Sequence, residues 1–261
     1  MPKKSPPSKK TEYNLRNQAT QTDNDRTYRE LIQKHFEDSS GTILDKLNNF
    51  PRFVSRQTLS IFMAKNEIFT KILNVHGNII ECGVFMGGGL FTWAQLSSIY
   101  EPYNHNRKVI GFDTFTGFPQ LHHKDKNEIL EHKKEGSYKF DSIKELNEGV
   151  NLYNLNRPIG HLEKIEFVKG DATQTIPGYL KENPHTVVSL LYLDFDLYEP
   201  TLVALKSFLP RMPKGSVIAF DELNQKQWPG ETMAVMESIG LNHLEIKRLN
   251  FTPAISYAIL H

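Results

Sequence analysis

The sequence predicts an α/β chain, a mostly parallel sheet with helices on both faces that ends in an antiparallel pair of strands. Three observations predict it. From residue 79 onward, short apolar runs alternate with longer amphipathic stretches, the pattern of a parallel sheet wrapped by helices. The run VVSLLYL (187–193) is almost continuously apolar, as a central strand buried on both faces must be. Near the C-terminus, LEIKRL (244–249) and ISYAIL (255–260) are joined by NFTPA (250–254), a connection that only an antiparallel pair can use.

The parts follow in chain order. Residues 1–24 are polar, rich in proline, lysine and serine, and are expected to form a disordered basic tail. The opening MPKKSPPSKK lacks the apolar core of a signal peptide. Residues 25–76 read as a helical segment of two or three helices, with Leu59, Phe62, Phe69, Ile72 and Leu73 near helical spacing and Ser55 as a cap before them. Residues 77–261 form the α/β domain. Its candidate strands are IIEC (79–82), KVIGF (108–112), IEFVK (165–169), VVSLLYL (187–193), SVIAF (216–220) and the closing pair. Candidate helices lie near 88–100, 141–154, 174–182 and 200–209.

Composition narrows the function classes. Of 261 residues, 39% are apolar and 23% charged, and 31 basic side chains balance 30 acidic ones to a net charge of +1. A chain so balanced has no global field favouring nucleic acid or anionic lipid. Its one cysteine, Cys82, excludes an intrachain disulfide and a multi-cysteine zinc site. No apolar stretch approaches the roughly 20 residues of a membrane helix. The expected setting is soluble, reducing and cytoplasmic, with no nucleic-acid or membrane partner. The state of assembly is open, a homo-oligomer included.

The stretch IIECGVFMGGGLFTW (79–93) carries the first functional signal, four glycines within seven positions between a strand and a helix. A phosphate-binding loop needs a lysine after the glycines, and none follows Gly87, Gly88 and Gly89; a dinucleotide fingerprint fails in its spacing. The acids are the second signal. Glu81 lies near the end of the first strand, and Asp113, Asp171, Asp194 and Asp221 follow the next four. In a doubly wound sheet ligands bind beyond the carboxyl ends of the strands, so these acids share one rim. For any single Asp, a turn or helix cap is an equal alternative. Together, an acid before the glycine turn, one ending the next strand and a third in GDA (170–172) suit a cationic amino-acid end, a ribose diol and an adenine. S-adenosylmethionine has these parts. Bare backbone at Gly83 and Gly87 would admit its methionine end, Asp113 would accept from the ribose and Asp171 from the adenine amino group. The same reading extends to Gly88, Thr114 and Ala172.

The segments ECGVFMGG (81–88), GFDTFTGFP (111–119), LDFDLYEPT (193–201) and GSVIAFDE (215–222) resemble the macrocin O-methyltransferase family. The resemblance covers roughly residues 60–261. It implies a Rossmann-like class I methyltransferase fold with a mostly parallel seven-stranded sheet and a C-terminal antiparallel hairpin. It also implies methylation of a hydroxyl on a deoxysugar, nucleotide-linked or already on a glycosylated natural product, usually with a magnesium ion. Asp194 and Asp221 carry over as metal ligands. Members often have two adjacent Asp after the fifth strand; here Phe220 precedes Asp221 and Glu222 follows, so Glu222 carries over only as a substitute, or it faces solvent. Pro200 stands where Ser is common.

A sugar hydroxyl is a poor nucleophile near neutral pH. A bound divalent cation lowers its pKa, and a neighbouring carboxylate can then take the proton; Asp194 is the candidate base. If the fourth and fifth strands are neighbours, about 4.8 Å apart, Asp194 and Asp221 could share one hard cation. Asp196 is either a further ligand or a helix-start residue. His122, His123 and His132 read more plainly as surface residues than as substrate contacts. The charged, poorly periodic stretch 120–140 has the length of a lid. Tyr138 and Trp228 could stack on a sugar or adenine, or pack in the core, and WPGET (228–232) is placed to border the acceptor pocket. A phenolic or catechol acceptor, and a non-catalytic binding protein on the same fold, are the alternatives. A panel of acceptors and calorimetric cofactor binding separate them.

Overall fold

A computed structural model describes residues 22–126 and 133–261. The tail expected over 1–24 therefore lies, up to residue 21, outside the described residues. Its last residues already open a helix, α1 (Asp23–Asp38), which is followed by α2 (Ile43–Asn48). Both start at a threonine whose hydroxyl accepts from a backbone amide three residues on, while an aspartate there reaches back: Thr22 with Asp25, Thr42 with Asp45. This reciprocal capping satisfies amides that have no partner within the helix. The described residues up to Ser55 form one compact unit and Arg56–His261 a second.

The second unit begins with α3 (Arg56–Lys71). Then β1 (Asn78–Cys82), α4 (Gly88–Tyr100), β2 (Val109–Asp113), α5 (Ile143–Leu155), β3 (Ile165–Lys169), α6 (Ala172–Glu182), β4 (Val188–Leu193), α7 (Tyr198–Phe208), β5 (Val217–Phe220), α8 (Pro229–Ser238), β6 (Lys247–Arg248) and β7 (Ser256–Ile259) follow. The seven strands lie in the order β3-β2-β1-β4-β5-β7-β6. Strands β1 to β5 are parallel, and β7 runs antiparallel between β5 and β6. This is the Rossmann-like class I methyltransferase arrangement, with the expected C-terminal antiparallel pair and β7 lying inside β6.

Period-two alternation divides the core. One face carries Ile79, Val109, Leu190, Tyr192, Val217 and Ala219 beneath Ile68 of α3, Leu90 and Trp93 of α4 and Tyr153 of α5. The other carries Ile80, Cys82, Phe112, Leu191, Leu193 and Phe220 beneath Ile176 of α6, Leu205 of α7 and Val235 of α8. Strand β4 is buried at all six positions, as its unbroken apolar run requires. Cys82 is fully buried, and burial pushes its thiol up, away from the reactive thiolate. One expectation needs correction. LEIKRL pairs only at Lys247 and Arg248, because the chain leaves the 3-10 turn Leu241–His243 just before it and reaches β7 only there. The segment after Trp228 is a helix, α8, opened by Pro229 at its first position, where a missing amide hydrogen costs nothing.

Candidate active site

Strand register brings the acids together. Cys82 pairs with Phe112 on one side and Leu193 on the other, and Leu193 pairs with Phe220. The next residues are Gly83, Asp113, Asp194 and Asp221, so four strand ends meet on one line. The backbone ladder continues into it: Gly83 donates to the Phe112 carbonyl at 2.9 Å, Asp194 to Cys82 at 2.8 Å and Asp221 to Leu193 at 3.1 Å. Gly83, at φ +102°, leaves no room for a side chain, because a Cβ there would fall on the Asp194 carbonyl oxygen.

The other glycines divide by what surrounds them. Gly87 is the left-handed cap of α4 at φ +83°, and a Cβ there would run into Leu146 of α5. A Cβ on Gly89 would collide with Glu81 Oε1. A Cβ on Gly88 would meet nothing within 4 Å. A Cβ at Gly83 or Gly87 would thus meet the chain's own atoms, whereas Gly88 is exposed with open space above it.

The predicted cofactor acids have protein partners. Asp113 Oδ2 accepts from the amides of Val84 at 2.8 Å and Phe85 at 2.9 Å, and Oδ1 accepts from Phe115 at 2.6 Å. Asp113 is therefore the brace of the glycine loop; a carboxylate offers about four acceptor sites, which leaves one for a ligand. Thr114 closes the adjacent turn through its hydroxyl to the Gly117 carbonyl, at 2.6 Å. Asp171 caps α6, with Oδ1 accepting from the amide and the hydroxyl of Thr173, each at 2.9 Å. Ala172 opens that helix and is buried in the apolar core. Glu81 lies one row below the rim, opposite Tyr192 and Gly111. It is 2% exposed, with Oε1 3.4 Å from Lys65 Nζ. Its Oε2 has no partner among the described residues. Burial lifts its pKa to about 7 against the pull of Lys65.

The acids near β4 and β5 repel one another. Asp194 and Asp196 are pushed above the ordinary carboxylate range by burial and then by Asp221. Glu222 is pushed up by burial and then by Asp196 and Asp221. Its Oε2 is buried and lacks a partner among the described residues, so the carboxyl does not simply face solvent. Glu231 of α8 is fully buried behind them, and its Oε1 accepts from the Glu222 amide at 3.1 Å. Such a group of oxygen donors suits a hard cation. Among the described residues no three His, Cys, Asp or Glu side chains form a group that could hold a metal ion. These carboxylates could therefore give an ion at most two donors, with water completing its shell.

Backbone strain is concentrated at the same edge. Phe85, Phe115, Asp196 and Asn224, in the loops after β1, β2, β4 and β5, all have positive φ, as does Tyr138. Non-glycine residues in this region cost of order 1–3 kcal/mol each and cluster at functional sites.

In the stretch 120–140, residues 127–132, His132 among them, lie outside the described residues. The part before them is tied down. Asp125 is 1% exposed; its Oδ1 accepts from the first amide of α7, at Tyr198, at 2.7 Å. His122 accepts from the Lys124 amide at 3.3 Å and its ring lies 4.7 Å from that of Tyr198. Tyr138 and Trp228 pack on each other and on Phe118, with centroids 4.9–6.0 Å apart. Lys133 Nζ sits 4.3 Å from the Trp228 ring. Burial pushes its pKa down, while Asp125, Asp196 and Glu222 pull the other way.

Lys65, Asp125, Tyr192 and Glu231 escaped the sequence reading. Only Lys65 left a readable signal, a charge on the apolar face of α3 beside Ala64, Ile68 and Phe69.

The family model for macrocin O-methyltransferase (TylF) matches residues 48–238. The crystal structure of CalS11, a calicheamicin methyltransferase, is 34% identical over 92% of this chain and 93% of that one, with a TM-score of 0.87. An apo structure of CalS11, named TDP-rhamnose 3'-O-methyltransferase, is 33% identical over 92% and 95% of the two chains, at a TM-score of 0.79. A curated relative from Streptomyces olivaceus, an 8-demethyl-8-(2,3-dimethoxy-alpha-L-rhamnosyl)-tetracenomycin-C 4'-O-methyltransferase, is 27% identical over 152 residues, 57% of this chain. This chain spans about half the length of that relative, 53%. Among the described residues no helix is long and apolar enough to cross a membrane.

Proposed function

Because the chain belongs to the macrocin O-methyltransferase family, we propose that it transfers a methyl group from S-adenosylmethionine to a hydroxyl of a deoxysugar, with magnesium as the assisting ion. The observation that carries this reading is the line Asp113, Gly83, Asp194, Asp221 at the carboxyl edge of the sheet, beside the open backbone of Gly88. Two relatives are named for methylation of a rhamnose unit. The acceptor class we infer is therefore a rhamnose-type deoxysugar, nucleotide-linked or on a glycosylated product.

The arrangement supports the following roles. The loop braced by Asp113 presents Gly88 to the methionine end of the cofactor, and the remaining acceptor sites of Asp113 and Asp171 face its ribose and adenine. S-adenosylmethionine, when bound, supplies an electrophilic methyl group, and an in-line displacement gains most from positioning. Asp194 takes the proton from the acceptor hydroxyl. Asp194 and Asp221 would hold the cation, with water completing its shell, and the cation would lower the pKa of that hydroxyl. The test is transfer of labelled methyl to a set of nucleotide-linked deoxysugars, with catechol beside them and with chelator in a parallel series. Labelled sugar, lost in chelator, is the expected result. Label on catechol alone would replace the acceptor class, and undiminished transfer in chelator would remove the ion.

A further inference from the structure

Tyr192 is the fifth of six residues in a strand that is otherwise aliphatic apart from Ser189. It is 1% exposed and packs edge-on against Trp93 at 5.5 Å. A phenylalanine would fill the same volume, so the hydroxyl needs its own reason; buried tyrosine hydroxyls ordinarily have a partner. Here the partner is Asp221 Oδ1, at 2.6 Å. Register explains the reach. Tyr192 lies opposite Ala219 on β5, and Asp221 is two residues further on, on the same face. The other carboxylate oxygen, Oδ2, has no hydrogen bond among the described residues.

The ring is held from the far side. Lys65 Nζ lies 3.4 Å from the Tyr192 centroid and 3.4 Å from Glu81 Oε1. A desolvated ammonium over an aromatic face is an attractive contact, which holds the ring against Lys65. A chain of contacts thus runs from Glu81 through Lys65 and the Tyr192 ring to Asp221, and none of the first three reaches the rim itself.

We propose that Tyr192 is a positioning residue: its hydroxyl occupies one oxygen of Asp221 from within the core and turns the other toward the ligand side of the sheet, with Lys65 holding the ring in place. The role assigned to Asp221 rests on the function proposed above. The residue acts through Asp221 and touches no substrate.

The experiment uses the full chain carrying Tyr192→Phe, which keeps the ring and removes one atom. Its crystal structure and its affinity for Mn²⁺ alone, by calorimetry, are compared with wild type, and S-adenosylhomocysteine affinity serves as the control. The expected result is an Asp221 side chain turned away from its wild-type position, a Mn²⁺ affinity about 10–100-fold weaker, as for outer partners of metal ligands, and unchanged S-adenosylhomocysteine binding. An Asp221 that keeps its position in the variant overturns the proposal. Wild-type protein that takes up no Mn²⁺ sinks the metal reading instead, and the position of Asp221 in the two crystal structures still decides the role of Tyr192.

Discussion

The Asp113 carboxylate accepts the Phe85 amide at 2.9 Å, so the acid ending one strand fixes the loop that leaves its neighbour. Removing it therefore does more than delete a ligand contact. Asp113→Ala leaves the amides of Val84, Phe85 and Phe115 without their charged acceptor, and hydrogen bonds to charged groups are worth about 1.5–3 kcal/mol each. The expected outcome is a lower denaturation midpoint together with weaker S-adenosylhomocysteine binding. A variant of wild-type stability would contradict the bracing role.

The glycines should separate under substitution. Gly88→Ala adds a methyl group into space that the protein does not fill, so the fold should be unaffected while cofactor affinity falls. Gly89→Ala drives the same methyl into Glu81 and should lower stability by about 1–3 kcal/mol, the range for overpacking. Melting curves beside calorimetry distinguish the two; equal stability loss in both would mean that the space over Gly88 is closed.

The Lys65–Glu81 pair should behave as a buried ion pair. Lys65→Met leaves Glu81 alone in the core and should cost about 3–5 kcal/mol, with much of it recovered by adding Glu81→Gln. The pH dependence has a definite sign. Burial raises the folded-state pKa of Glu81 from 4.5 to about 7, so between these values the folded chain binds more protons than the unfolded one. Its contribution to stability is full below about pH 4.5 and is lost as pH rises to about 7. Glu81→Gln should remove that part of the decline, read as the difference between two denaturation series. Parallel curves for the two proteins would contradict the assignment.

Much of the fold was legible because it rests on local pattern. Alternating apolar runs mark β1 to β5, and the short link 250–254 marks the antiparallel end. Of the site, the rim acids were legible, since a strand followed by an acid is a local event that register then aligns. The roles of Lys65, Tyr192 and Asp125 depend on partners far along the chain, 16, 29 and 73 residues away, and no spacing rule reaches them. The glycine cluster was legible as a turn, yet the reason for each glycine came from Asp194, Leu146 and Glu81, which only packing brings near.

Asp221→Asn keeps one oxygen donor and lets Asp194 remain as base. It should raise the magnesium concentration needed for half-maximal rate by about ten-fold or more, while the rate at saturating magnesium changes less. Titrating activity against free magnesium checks this; an unchanged requirement would remove Asp221 from the ion's donors.

Activation of a sugar hydroxyl by the rim acids can be measured in single-turnover methyl transfer to a nucleotide-linked deoxysugar, with wild type and Asp194→Asn compared at saturating S-adenosylmethionine and the product read by mass. The expected outcome is a singly methylated sugar from wild type and a rate lower by about 10²–10⁴-fold in Asp194→Asn, with S-adenosylhomocysteine affinity unchanged. Transfer at the wild-type rate by Asp194→Asn, or no methylated sugar from a wild-type protein that binds the cofactor, would contradict it.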